Sequence, residues 1–275
     1  LTRNNYRFDR AKLIPPKKSL GQNFCRSEKL IREVVERLAS EPGDEVWEIG
    51  PGHGSLTAVL ADTGAMIRAF EIDERFKEQL TGTFGSRVTF HWGDFLRLDL
   101  ASVKPGGKSF LACGNLPYYC GAAIVKRMLE LIPAPIRMVF VLQEEVAHKI
   151  VAAQGTKEYG FLSAQIQLFS KIVLGGTYPP DAFFPPPKVS STVLEVIPLD
   201  LTDEERKSRL AARKLLSIFF CHRRKMALPL LKHAYPDEAS AWEEKFLRLG
   251  IKLTARGEEM PLPVVIALAK DPQRS

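Results

Sequence analysis

Gly114-Asn115-Leu116-Pro117-Tyr118 places a carboxamide, a conformationally fixed turn and an aromatic ring side by side. These are the groups needed to hold a planar amine. Pro117 fixes its own φ and drives Leu116 toward extended geometry, which leaves the carbonyls of Asn115 and Leu116 outside a helix. An adenine or amide nitrogen can donate hydrogens to such oxygens, and Tyr118 offers a flat face to the attached ring. An ordinary Asn-Pro loop with Tyr118 as a packing residue shares this local pattern, so the context of the turn has to decide.

That context includes a second chemical group. Glu48-Ile49-Gly50-Pro51-Gly52-His53-Gly54 follows an apolar run and opens a helical pattern, as a nucleotide-binding loop does. A dinucleotide fingerprint from Gly50 needs glycine at 55, where the chain has Ser55, and no Walker G-K-[ST] follows. The spacing disfavours NAD and ATP and fits a nucleoside ligand without a pyrophosphate. Glu71 ends the next strand pattern and is suited to accept from two ribose hydroxyls, and Asp94, after the third, can accept from an adenine amine. This combination points to S-adenosylmethionine.

The elements that must position these residues alternate. Leu30, Ile31, Val34, Val35 and Leu38 share one helical face after the cap residue Ser27, with Pro42-Gly43-Asp44 as the stop. The pattern then predicts strands at 46–49, 66–70, 88–90, 109–113, 138–142, 172–174 and 191–196, and helices at 55–62, 74–83, 121–131 and 143–153. Such alternation implies an α/β fold with a mostly parallel sheet and a strand's carboxyl end at Asn115. Phe183-Phe184-Pro185-Pro186-Pro187 reads as a stiff loop. After Pro198-Leu199-Asp200 only helical patterns follow, which places a boundary near 200, with residues 1–200 one domain and 201–275 a small all-α second one.

The net charge of +7 is unevenly placed. Residues 1–26 carry +6 and residues 206–233 carry +9, leaving −8 on the remainder. Two basic patches on an acidic body fit a polyanion footprint. Residues 1–20 are basic, proline-interrupted and read as largely irregular. Arg206, Arg209 and Arg213 fall on one helical face, with Arg223, Arg224 and Lys225 beyond, and Leu215, Ile218 and Phe219 are expected to face the core. The four cysteines form no C-x-x-C pair and the histidines no H-E-x-x-H, so neither a structural zinc nor a disulfide framework is expected. No apolar run is long enough to span a membrane and no signal-like segment is seen, so the expectation is a cytoplasmic protein.

With these motifs in register the chain resembles the small-subunit ribosomal RNA adenine dimethyltransferase family. The resemblance rests on Lys18-Ser19-Leu20-Gly21-Gln22-Asn23-Phe24, the loop 48–57, Glu71-Ile72-Asp73, Gly93-Asp94, Asn115-Leu116-Pro117-Tyr118, Phe183 to Val189 and His222-Arg223-Arg224-Lys225. It implies a Rossmann-like methyltransferase domain with a helical C-terminal domain. The implied activity is S-adenosylmethionine-dependent dimethylation of two adjacent adenosines in the 3′-terminal hairpin loop of small-subunit rRNA, on an immature 30S particle, by a monomer that takes neither DNA nor membrane as partner. The implied cofactor residues are Gln22, Asn23, Cys25, Gly50, Gly52, Glu71, Ile72, Asp94, Phe95 and Asn115. Cys25 departs from the aliphatic residue of many relatives, and a backbone contact there survives the change.

In this reading Asn115 and Leu116 accept the hydrogens of the target amine while Tyr118 and Phe183 clamp the base. Phe183-Phe184 before three prolines equally fits a core plug. A large-subunit rRNA methyltransferase of the Erm resistance type is a rival that shares the cofactor loop and an N-x-P-Y motif. DNA-adenine and glutamine-amide methyltransferases typically carry a second proline where this chain has Leu116. A ribosome-assembly or transcription factor that keeps the fold with little catalysis is a rival from another class, and the intact Glu71, Asp94 and Asn115 stand against it.

Overall fold

The computed structural model describes residues 14–100, 102–103, 105–106 and 109–270. Arg3, Arg7, Arg10 and Lys12, the larger part of the N-terminal basic patch, lie outside the described residues. The elements in chain order are β1 (Phe24–Cys25), α1 (Glu28–Leu38), β2 (Glu45–Ile49), α2 (Ser55–Ala61), β3 (Met66–Glu71), α3 (Lys77–Phe84), β4 (Val88–Trp92), β5 (Leu111–Asn115), α4 (Gly121–Glu130), β6 (Arg137–Gln143) and α5 (Glu144–Val151). There follow α6 (Phe161–Gln167), β7 (Ser170–Tyr178), β8 (Phe183–Phe184), β9 (Ser191–Pro198), α7 (Asp203–Cys221), α8 (Ala227–Ala234), α9 (Ala239–Arg248) and α10 (Leu262–Ala269).

Seven strands form one sheet in the order β4-β3-β2-β5-β6-β9-β7. β2 pairs in parallel with both β3 and β5, and β4 and β6 extend the parallel set on either side. β9 runs antiparallel to β6, which makes the sheet mixed. Chain order reverses beside β2, so a crevice opens at the carboxyl ends of β2 and β5, where open α/β sheets take ligands. The interior strands are buried along their length, as Val46, Trp47 and Ile49 on β2 and Met138 to Leu142 on β6 illustrate. α1 lays Leu30, Ile31, Val34 and Leu38 against the core, with the Ser27 hydroxyl accepting from the Leu30 N–H as its cap. It ends at Leu38, before the expected Pro42-Gly43 stop, because Ala39 turns left-handed.

Phe24-Cys25 pairs with Phe184-Phe183 as a separate two-stranded antiparallel ribbon, so Phe183-Phe184 is a short strand and only the prolines beyond it form loop. Cis bonds precede Pro133 and Pro185. The strand expected at 109–113 lies two residues later, which makes Asn115 its last residue.

The chain forms two compact units, one of residues up to Ala147 with Lys171–Pro198, the other of His148–Ser170 with the residues from Leu199 on. A contiguous division at 200 therefore misplaces 148–170. The segment is closed on itself by Gln167, which donates to the Ile150 and Ala152 carbonyls, and by Ser163, which donates to Lys149; Arg209, donating to the Leu168 carbonyl, and the Leu199 N–H, donating to Phe169, tie it to the rest of the second unit. The second unit is helical, with Leu215, Leu216, Phe219, Leu231, Phe246 and Val265 at its centre, and Ile218 half-buried.

Candidate active site

A cleft open to solvent lies at the crevice beside β2, lined by the glycine loop, Glu71, Asp94 and Asn115. Gly50, Gly52 and Gly54 all have positive φ, at 75°, 54° and 85°, so the loop after β2 requires glycine. Gly52 also meets the Phe24 ring, whose carbon would stand 3.0 Å from an added Cβ. The loop is thereby held between the sheet and the ribbon strand β1.

Glu71, at the end of β3, is buried on the cleft wall. Its Oε2 accepts the Gly52 N–H at 3.0 Å and its Oε1 the Asp73 N–H at 2.9 Å. Each oxygen keeps a second lone pair, which suits a vicinal diol. Burial raises the Glu71 pKa, against the pull of these backbone donors. Asp73, two residues on, is held down to about 2 chiefly by Arg75, and it also receives the Gln22 amide at 2.9 Å. Asp94 accepts the Leu96 N–H at 3.0 Å through Oδ1 and faces Arg97 at 3.4 Å through Oδ2, and it too lines the cleft. Ile72 and Phe95 supply apolar wall, Phe95 packed edge-on to Phe70.

The amide of Asn115 has a defined direction. Its Nδ2 donates to the Asn23 carbonyl at 2.6 Å, which only the NH₂ end can do, so Oδ1 is the end left for another partner. The Leu116 N–H is bound to Val141 at 3.1 Å, while its carbonyl accepts no hydrogen bond among the described residues. The Tyr118 ring lines the same cleft. Two acceptors without donors among the described residues, beside an aromatic face, are an arrangement that can receive an amine on a flat ring.

The chain matches the ribosomal RNA adenine dimethylase family over residues 15–260. The chain belongs to this family. It is 35% identical to the ribosomal RNA small subunit methyltransferase A of Acidobacterium capsulatum over 254 residues, covering 92% of this chain and 89% of that protein. The enzyme of the same designation from Deinococcus radiodurans is 34% identical over 260 residues, at 93% and 85% coverage. Among solved structures the fold is similar to that of a dimethyladenosine transferase from Plasmodium falciparum, with TM-score 0.76 and 20% identity over 89% of this chain and 95% of that one. It is also similar to that of the 23S rRNA methyltransferase ErmE, with TM-score 0.66 and 24% identity over 90% and 98%. The dimethylase is an S-adenosylmethionine-dependent methyltransferase. The cleft fits that cofactor: a diol acceptor with spare lone pairs in Glu71, an acceptor in Asp94, a glycine loop that admits close approach, and an apolar wall.

Not every residue assigned from the sequence reaches the dimethylase cleft. Gln22, Asn23, Gly50, Gly52, Glu71, Ile72, Asp94, Phe95, Asn115, Leu116 and Tyr118 line it together. Phe183 does not: its ring is 1% exposed inside the core cluster with Phe24, Cys25 and Tyr178, and from there it offers no face to a base. Cys25 is buried in the ribbon opposite Phe183, its thiol pushed up to about 11 by burial, and it does not line the cleft. Tyr119 does line it and is 65% exposed, a position the sequence pattern hid because a second consecutive tyrosine carries no separate signal.

The arginines of the second unit need a similar correction. Arg209 donates to the Leu168 carbonyl at the end of α6, and Arg223 binds Glu258 at 2.7 Å and the Tyr159 carbonyl at 2.5 Å. These two hold the unit together. Arg206 and Arg213 are half-buried, whereas Lys207 and Lys214, one residue further round α7, are exposed, as are Arg224 and Lys225. Lys207 and Lys214 add exposed charge beside the expected face of α7.

Glu48, the first residue of the glycine motif, was assigned no role by spacing. It is 1% exposed, its Oε2 has no partner, and burial raises its pKa to about 8, with Glu71 adding to the rise and Thr57 opposing it. The folded dimethylase therefore keeps the Glu48 proton that the unfolded chain loses at ordinary carboxylate pH. Stability is full below that ordinary value and falls as pH rises toward 8, by an amount on the order of a few kcal/mol. Glu48→Gln removes the titration. Its melting temperature relative to the parent is expected to climb between pH 5 and pH 8, and parallel melting curves at the two pH values would contradict a neutral Glu48.

Proposed function

We propose that the chain dimethylates two adjacent adenosines in the 3′-terminal hairpin loop of small-subunit rRNA, acting in the cytoplasm as a monomer on an immature 30S particle, with neither DNA nor membrane as partner. The observation that carries this reading is the anchored amide: Asn115 Nδ2 is spent on Asn23, so Oδ1 and the Leu116 carbonyl are presented as a pair of acceptors. The designation of the relatives as small-subunit enzymes supports the choice of RNA. No described helix is long and apolar enough to cross a membrane.

The adenine amine is a poor nucleophile because its lone pair is delocalised into the ring. Asn115 Oδ1 and the Leu116 carbonyl accept its hydrogens and favour the pyramidal, positively charged nitrogen of the transition state. Bound S-adenosylmethionine supplies an electrophilic sulfonium methyl group. Stacking on Tyr118 contributes about 1–3 kcal/mol to holding the base, and in-line alignment lowers the barrier further. An adenosine in a hairpin loop is cheaper to extrude than a paired one.

Tritiated methyl transfer to unmethylated 30S particles, 50S particles and DNA tests the assignment. Label in 30S rRNA alone is the expected result. Label in 50S alone would move the chain to the large-subunit class, and tight 30S binding without label would make it an assembly factor. For the second unit, changing Lys207, Lys214, Arg224 and Lys225 together to alanine is expected to weaken particle binding. The slope of log affinity against log salt should fall by roughly 0.7–0.9 per lost phosphate contact in a filter-binding titration. An unchanged slope would remove these lysines and arginine from the interface.

A further inference from the structure

Tyr118 is fixed at both ends. On the backbone side, the N–H groups of Cys120 and Gly121 both donate to the Pro117 carbonyl, at 3.2 and 3.0 Å, and close the turn that carries the ring. On the far side the Tyr118 hydroxyl meets the Ser191 Oγ at 2.7 Å. Ser191 is the first residue of β9 and is 0% exposed. Its strand register against Gln143 of β6 and the bond from the Glu144 N–H to the Ser190 carbonyl, 3.0 Å, hold that strand end in place. Ser191 does not line the cleft.

We infer that Ser191 is a positioning residue for base capture, acting through the Tyr118 hydroxyl. A phenyl ring on a turn can rotate about two side-chain torsions, and each orientation presents a different plane to an incoming adenine. A hydrogen bond at the ring's outer end, to a hydroxyl that is itself buried in a strand, selects one of them before the base arrives. The ordering cost is then met on folding instead of on binding. Burial raises the Tyr118 pKa, so the phenol stays protonated and able to share a proton with Ser191 throughout the physiological range. The tyrosine is thus used for its oxygen as well as its face. A phenylalanine at 118 would stack equally well and point less reliably.

This inference rests on the proposed methyl transfer to an rRNA adenine, and its test separates the two. Ser191→Ala and Tyr118→Phe remove the same hydrogen bond from opposite ends, the second without touching the buried strand. Steady-state transfer to 30S particles is measured for the parent, both single variants and the double variant, with cofactor affinity measured alongside in the absence of RNA. The expected result is a loss of about five- to tenfold in kcat/KM for RNA in each single variant, of the order of one lost hydrogen bond. The double variant should lose no more than either single one, and cofactor affinity should be unchanged in all. Multiplying losses in the double variant, or a Tyr118→Phe enzyme with parental kcat/KM, would overturn the tether. A parent enzyme that labels no 30S rRNA would instead overturn the function on which it rests. Should Ser191→Ala fail to fold, Tyr118→Phe decides alone.

Discussion

Asn115→Ala is expected to lower methyl transfer by about 10²–10³-fold while leaving S-adenosylmethionine affinity nearly unchanged. The size follows from what the amide does: removing one preorganised polar partner of a developing charge costs this much in other enzymes. The selectivity follows from geometry. Asn115 shares the cleft with Glu71 and Asp94, yet the polar groups suited to the nucleoside are those acids, and neither depends on the amide for its hydrogen bonds. Asn115→Asp should fail as completely, because a carboxylate cannot donate to the Asn23 carbonyl at 2.6 Å and is repelled by it. Single-turnover transfer together with a calorimetric cofactor titration checks both variants. Full activity in either would remove Asn115 from the reaction.

The second large effect is on the fold. Gly114 lies next to Asn115 on β5, and a Cβ there would stand 2.3 Å from the Ile49 carbonyl oxygen of β2. That neighbour is backbone within the parallel sheet and cannot swing aside. Gly114→Ala is therefore expected to destabilise by about 3 kcal/mol or more, at the upper end of what overpacking costs. Because Ile49 leads directly into Gly50, the displacement falls on the glycine loop that lines the cleft as well. Urea denaturation should show an earlier midpoint, and cofactor affinity should fall with it. Parental stability would mean that β2 and β5 can separate at the crevice without cost.

Much of this arrangement was legible in the sequence because the larger elements carry periodicity. The α1 face, the β2-loop-α2 unit and the acids at the ends of β3 and β4 all follow from local pattern. What was hidden is tertiary. Strands of two residues, such as β1 and β8, have no period, so nothing in Phe24-Cys25 or Phe183-Phe184 announces that they pair. The helical face of Arg206, Arg209 and Arg213 was correctly periodic, yet spacing does not reveal that the end of α6 consumes Arg209. α6 itself was missed, since Phe161-Leu162-Ser163-Ala164-Gln165-Ile166 lacks charges to mark a solvent side. Glu48 looked like a strand residue, and its raised pKa comes chiefly from burial, with Glu71 adding to it, neither of which local spacing reveals.

Phe183 has a consequence for how mutational data on such enzymes should be interpreted. Its ring is packed away in the core, and its backbone is the ladder partner of Cys25. Two residues before Cys25, the Asn23 carbonyl takes the Asn115 NH₂ and so decides which way that amide dipole points. Hydrophobic burial at one place is thereby converted into the aim of a single oxygen at another. A loss of turnover in a Phe183→Ala enzyme therefore does not by itself show that a base-stacking ring was deleted, because the ring is buried in the core and its strand leads to the residue that anchors the Asn115 amide.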